Sequence, residues 1–241
     1  MALKRPGEEL ANRPLYFFWA VDCSGSMYGD KIGAVNSAIQ NCIPEMRDAA
    51  QENPNAQLLI QTLKFATGAS WVTATPIKIE DYTWSDLSAG GVTDLGKAFD
   101  LLAAQLTIPP MPSRALPPVI VLLSDGQPTD NYKKSLDKLL QLPWAKKAVR
   151  IAISIGQDAD DEVLKEFTGN RELVLQANNA EMLVKMIKWA STVASVVSAP
   201  ASRAGVTTPD AIDNSDVPTN NVEIDMDSIP TNSGVDVGDV W

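Results

Sequence analysis

The sequence predicts an α/β fold of the doubly wound, three-layer, Rossmann-like kind, with a mostly parallel sheet and one antiparallel edge strand. Three observations predict it. Apolar runs at Leu15–Val21, Val119–Ser124 and Val149–Ile155 are continuous, as in parallel strands covered on both faces. Stretches with apolar residues at helical spacing lie between such runs, so strands and helices alternate along the chain. Two further strand-like runs, Gln57–Ala66 and Trp71–Ile79, are separated only by Thr67-Gly68-Ala69. So short a connection holds no crossover helix, which makes the pair an antiparallel hairpin.

In chain order, residues 1–13 form a polar N-terminal segment, and Pro14 introduces the first strand. Lys31 to Ala50 places Ile32, Val35, Ile39, Ile43 and Met46 on one helical face, with Pro44 as a possible kink, and Asn53-Pro54-Asn55 ends it. After the hairpin comes the loop Gly90-Gly91-Val92-Thr93-Asp94, then a helix from Asp94 to Leu106 and a stiff proline-rich loop from Pro109 to Pro118. Beyond the strand Val119–Ser124, Asp130-Asn131 caps a helix running to about Leu142. Val149–Ile155 is strand, closed by Gly156; Asp158–Phe167 is a short helix, Leu173–Gln176 a last strand, and Asn179–Val197 a final amphipathic helix. The expected division is residues 14–198 as one domain and 199–241 as an acidic tail.

The 241 residues, 45% hydrophobic and 21% charged, suffice for one α/β domain with an appendage. Two cysteines, Cys23 and Cys42, make no disulfide framework, which points to a reducing compartment. No apolar run reaches the roughly 18 residues of a spanning helix, and the N-terminus lacks a signal-peptide apolar region. A cytoplasmic protein is expected.

A formal charge of −10 argues against affinity for nucleic acid or an anionic membrane. The charge is uneven. From Ala199 onward eight acids (Asp210, Asp213, Asp216, Glu223, Asp225, Asp227, Asp236, Asp239) face one base, Arg203, so the tail carries −7 and the remainder −3. The tail's composition cannot build a core, and it is expected to be disordered alone. It reads either as a solubility linker or, through Val222, Ile224, Met226, Ile229 and the terminal Val240-Trp241, as a set of anchors for a groove or sheet edge.

The chemistry concentrates where the apolar run Phe17-Phe18-Trp19-Ala20-Val21 ends in Asp22-Cys23-Ser24-Gly25-Ser26. Spacing Asp22, Ser24 and Ser26 by two lets one tight loop turn their oxygens toward a common point, with Gly25 permitting the sharp backbone path. One carboxylate and two hydroxyls suit a hard cation such as Mg²⁺, with Mn²⁺ or Ca²⁺ as alternatives. Asp and Ser after a strand are equally ordinary turn and N-cap residues, so the pattern alone leaves both readings open.

Two later segments, Gly90-Gly91-Val92-Thr93-Asp94-Leu95-Gly96 and Val119-Ile120-Val121-Leu122-Leu123-Ser124-Asp125-Gly126, supply a threonine and a second aspartate in loops of their own. Together with Asp-x-Ser-x-Ser they resemble the von Willebrand factor A (VWA) family. The resemblance covers about residues 13–197 and implies a VWA sandwich with a metal-ion-dependent adhesion site. It also implies that Ser24, Ser26 and Thr93 offer hydroxyl oxygens, while Asp22 and Asp125 coordinate directly or through water. A vacant coordination position would then accept an Asp or Glu from a partner protein. Gly91 and Gly126 would keep the rim low, although a turn requires flexible residues in any case. Asp94 and Asp130 read as supporting acceptors or as helix caps. Met27 and Tyr28 follow the loop directly, as rim or as packing.

The strings Phe-Trp-Ala-Val-Asp-Cys-Ser-Gly-Ser-Met and Leu-Ser-Asp-Gly-Gln-Pro-Thr-Asp look most like the bacterial tellurium-resistance-associated TerY-like group. That likeness implies association with Ser/Thr kinases and PP2C-type phosphatases, in a stress-resistance or signalling setting. The tail's Thr207 and Thr208, with Asp210 close behind, are then candidate phosphorylation sites. The long acidic tail departs from the group.

Enzyme classes are poorly served. With no histidine, a Ser-His-Asp triad and a His-ligated zinc site are both impossible. No nucleophile elbow, phosphate loop or dinucleotide fingerprint occurs. A metal-dependent phosphohydrolase of the Asp-x-Asp kind would need an acid where Ser24 stands. The expectation is a non-enzymatic adaptor; a phosphohydrolase, or a tail-driven scaffold with a structural metal, are its rivals.

Overall fold

The computed structural model describes residues 13–52, 56–125, 127–157 and 159–198, together with Ile229. The first strand, β1 (Arg13–Asp22), lies at the centre of the sheet because its side chains are apolar on both faces. Leu15, Phe17, Trp19 and Val21 enter one core, and Tyr16, Phe18 and Ala20 the other. Helix α1 (Asp30–Glu52) carries Pro44 internally without ending, and β2 (Ala56–Ala66) pairs with β1 in parallel.

The chain then turns at Thr67 into β3 (Gly68–Trp71) and β4 (Ile77–Lys78), both antiparallel to β2. The antiparallel edge agrees with the hairpin expected from the short connection. The third strand is nevertheless two short pieces rather than one run to Ile79, since residues 72–76 leave the sheet between them.

Helix α2 (Leu95–Gln105) leads to β5 (Val119–Ser124), and α3 (Tyr132–Gln141) to β6 (Val149–Ile155). A separate short helix α4 (Pro143–Lys147), in a stretch to which the sequence assigned no element, starts afresh with proline at its first position. Helix α5 (Asp161–Thr168), β7 (Val174–Ala177) and α6 (Ala180–Ser198) complete the order. The sheet runs β3-β2-β1-β5-β6-β7, with β4 also on β2. Helices α1 and α6 cover one face and α2 to α5 the other, giving three layers.

Arg150 of β6 binds helix ends together: its guanidinium donates to the carbonyls of Ala145, Phe167 and Thr168 at 2.6, 2.8 and 3.3 Å. Such carbonyls at helix C-termini have no partner within their own helix, and a cation there also opposes the helix dipole.

Both thiols are free and buried, and burial pushes Cys23 up to about 12 and Cys42 to about 11. A thiolate is the reactive form, so an aromatic disulfide reagent at pH 8 is expected to label neither residue until the protein unfolds. Stoichiometric labelling of the native chain would contradict this.

Candidate metal centre

Strands β1 and β5 are adjacent and parallel, from Phe17 opposite Val119 to Val21 opposite Leu123. Asp22 and Asp125 therefore emerge at neighbouring carboxyl ends. From β1 the chain steps to β2 on one side and later returns to β5 on the other, so this is the point where strand order reverses and ligands of open α/β sheets bind.

Asp22 is fully buried. Its Oδ1 accepts a hydrogen bond from the Ser24 N–H at 2.8 Å, and its Oδ2 one from the Ser124 hydroxyl at 2.6 Å. Burial nevertheless dominates and pushes its carboxyl up to about 6; those bonds pull downward, and the Asp125 carboxylate raises it further. Ser24 is buried, Ser26 exposed, and their hydroxyl oxygens lie 3.0 Å apart. A single 3₁₀ turn, Gly25–Met27, shapes this first loop.

The first two loops are joined through main chain: the Gly25 N–H donates to the Gly91 carbonyl at 3.0 Å and the Gly90 N–H to the Cys23 carbonyl at 2.7 Å. A Cβ on Gly25 would stand 3.2 Å from that Gly91 oxygen. At Gly91, φ is +89° and a Cβ would come within 2.5 Å of the Thr67 hydroxyl oxygen, so only glycine fits without displacement. Thr93, buried, is bound to the third loop: its N–H donates to the Thr129 hydroxyl and its carbonyl accepts from the Thr129 N–H, at 3.0 and 2.9 Å. Asp125, also buried, has its carbonyl held by the Asp160 N–H at 2.7 Å.

Asp22, Ser24, Ser26, Gly25, Gly91, Thr93 and Asp125 thus gather at one end of the sheet. Asp94 stands at the start of α2 but uses its side chain elsewhere, accepting from the Gly68 N–H at 2.7 Å and so bracing the β2–β3 turn. Asp130 does not cap α3, whose N-cap is Asn131; its carboxylate accepts instead from Gly96 and Lys97 in the first turn of α2. Met27 is buried and Tyr28 is 78% exposed, which separates the two neighbours into packing and rim. Gly126, Thr207 and Thr208 lie outside the described residues, as do the N-terminal segment up to residue 12 and the tail apart from Ile229.

Ser124, Thr67, Thr129 and Lys64 were missed by the sequence reading. Ser124 could have been found, as the one hydroxyl closing a fully buried apolar strand. Lys64 is exposed and lines, with Thr67, Gly68, Ser88 and Gly90, a cleft of about 360 Å³ beside the loops.

Among the described residues neither Asp22 nor Asp125 makes an ion pair, and no three His, Cys, Asp or Glu side chains cluster. A cation here would have to be held by hydroxyls and two carboxylates. That donor set fits a hard divalent ion, whose charge the two carboxylates would offset.

A profile described as von Willebrand factor type A domain matches residues 18–189. Solved structures similar to the chain include the von Willebrand factor type A protein from Catenulispora acidiphila, with 15% identity over 76% of this chain and 43% of that one, at a TM-score of 0.56. The pilus adhesin SpaC from Lactobacillus rhamnosus GG matches with 16% identity over 77% of this chain and 30% of that one, TM-score 0.60. Proximal thread matrix protein 1 from the mussel byssus, in a form described as having a zinc-occupied MIDAS motif, matches with 18% identity over 78% and 47%, TM-score 0.54. The chain spans less than half the length of each of these three, and at such identities the likeness is one of fold. No curated protein sequence matches significantly.

Proposed function

The chain belongs to the von Willebrand factor type A domain family, and on that premise we propose that it is a non-enzymatic adaptor that grips a partner's Asp or Glu through a divalent ion. The observation that carries this reading is the pair of buried carboxylates, Asp22 and Asp125, at adjacent strand ends with no cation paired to either among the described residues. Buried charges are otherwise paired or coordinate a metal.

Ser24, Ser26 and Thr93 would hold the ion by hydroxyl oxygens. Asp22, whose two oxygens already accept protein hydrogen bonds, would act through water, and Asp125 directly or through water. Mg²⁺ is the proposed ion, with Mn²⁺ or Ca²⁺ as alternatives; the zinc-occupied MIDAS motif described for the mussel protein, which shares this fold, supports a divalent ion. Bound there, the ion would supply an electrophile for a partner carboxylate. The chain's contribution is to hold hydroxyls rather than further acids around it, so that positive character remains. Lys64 beside the cleft and the exposed Tyr28 would meet the same partner.

A stress-resistance or signalling setting, with Ser/Thr kinase and PP2C-type phosphatase partners, rests on the motif resemblance, as does phosphorylation of Thr207 or Thr208. Among the described residues no helix is long and apolar enough to cross a membrane. A cytoplasmic location and the absence of nucleic-acid or membrane partners belong to this proposal.

The test is calorimetric titration with Mg²⁺, together with affinity capture by the full chain with and without chelator, beside Asp125→Ala and Thr93→Ala. Thr93→Ala is expected to weaken the ion by at least about tenfold, the loss of one hydrogen-bond-sized contact to a charge. Chelator and Asp125→Ala are each expected to remove the captured partner. A captured set unchanged in all arms sinks the bridging idea.

A further inference from the structure

Among the described residues the sheet ends at β7, which pairs with β6 alone, so one side of β7 offers main-chain donors and acceptors to a further strand. Beside it a groove of about 340 Å³ opens between α5, β7 and α6, with Val174, Leu175 and Met186 as its apolar floor and a mixed rim in which Asp161, Glu162 and Glu172 outnumber Lys165 and Arg171. Ile229 of the tail sits in it, half-buried and packed against the core that contains Leu175 and Met186. Surface grooves with an apolar floor are left open at a cost, and this one is met by a residue of the same chain.

From this contact we infer that the groove is a docking site for the chain's own tail segment 222–229, with Ile229 as its anchor. The sequence of that segment fits an edge-strand groove. Val222, Ile224 and Met226 alternate with Glu223, Asp225 and Asp227, the period of a half-buried strand, and because acids outnumber bases around the groove the apolar residues rather than charge would hold the segment there.

The tether is long enough. Thirty residues separate Ser198, the end of α6, from Ile229, a flexible reach of roughly 30 Å. Attachment also gives the segment an effective concentration in the millimolar range, so a weak anchor suffices in cis. The site lies on the outer edge of the sheet, away from the β1–β5 junction, and does not depend on a metal. A partner that reads this part of the tail must first lift it from β7.

Two measurements on the full chain test this. In the first, a benzophenone amino acid replaces Ile229 and isotopically light and heavy copies are mixed before photolysis. Cross-links to 174–176 or 186 within one copy are expected; links between copies, or to other parts of the domain, overturn docking in cis. In the second, hydrogen exchange is compared for the wild type, Ile229→Asp and Ile212→Asp. Amides of 171–177 are expected to exchange about five- to tenfold faster in Ile229→Asp alone, the factor for losing part of an isoleucine's burial. Equal exchange in all three proteins, or equal acceleration in both variants, overturns it.

Discussion

Asp22→Asn is expected to make the metal-free protein more stable while abolishing its response to divalent cations. Burial places the Asp22 carboxyl at about 6, against an ordinary 3.8. A folded acid with a raised value binds more protons than the unfolded chain between about pH 4 and 6, so its stability falls as pH rises through that window and the penalty is complete above it. At about 1.4 kcal/mol per unit, the wild type carries a burden of about 3 kcal/mol at pH 8. Asparagine is never charged, keeps an oxygen for the Ser24 N–H, and can donate to the Ser124 hydroxyl, so a net gain of about 1–3 kcal/mol is expected. Denaturant midpoints in chelator at pH 8 and pH 5 check this: the wild type gains on acidification and Asp22→Asn does not. Metal affinity in the wild type is expected to fall as pH drops through 6, because ligand and proton compete. A variant no more stable than wild type at pH 8 would refute the account.

Gly96→Ala is expected to destabilise, the reverse of what the same change does in an ordinary helix, where alanine gains about 1 kcal/mol. A Cβ on Gly96 would stand 2.8 Å from Asp130 Oδ2 and 3.0 Å from the Tyr132 Cα, and the latter is backbone that cannot swing aside. Asp130 would leave the α2 N-terminus and its hydrogen bonds to Gly96 and Lys97, worth about 1.5–3 kcal/mol together. Thr129, one residue earlier, would be pulled from Thr93, so divalent affinity should drop along with stability. Urea unfolding and Mg²⁺ titration of the same variant decide the matter. A raised midpoint sinks it.

The parallel core was legible because burial on both faces writes continuous apolar runs, and Val119–Ser124 and Val149–Ile155 are seen with the bounds they were assigned. The edge was legible only in direction. Residues 72–76 look like strand by composition, but an edge strand loses little by leaving the sheet, and it breaks into β3 and β4. Helix α4 received no assignment between Leu142 and Val149, although Pro143 is well placed in a first helical turn. At the candidate site, spacing placed Asp22, Ser24 and Ser26 in one loop, and only the family resemblance joined Thr93 and Asp125 to them. Neither could indicate that Asp130 serves α2 rather than α3, or that Ser124 reaches Asp22, because both contacts cross between segments far apart in the chain.

The three loops are tied to one another largely by peptide groups: Gly25 to Gly91, Gly90 to Cys23, and Thr129 to Thr93. Peptide groups are the same whatever residue carries them. The exposed side chains between these ties, Tyr28 and Val92, can therefore be exchanged for others at small energetic cost while the oxygens beneath keep their arrangement. On the adaptor reading proposed above, such a scaffold would change its partner by surface mutation alone, and retargeting it in the laboratory should begin at those two positions.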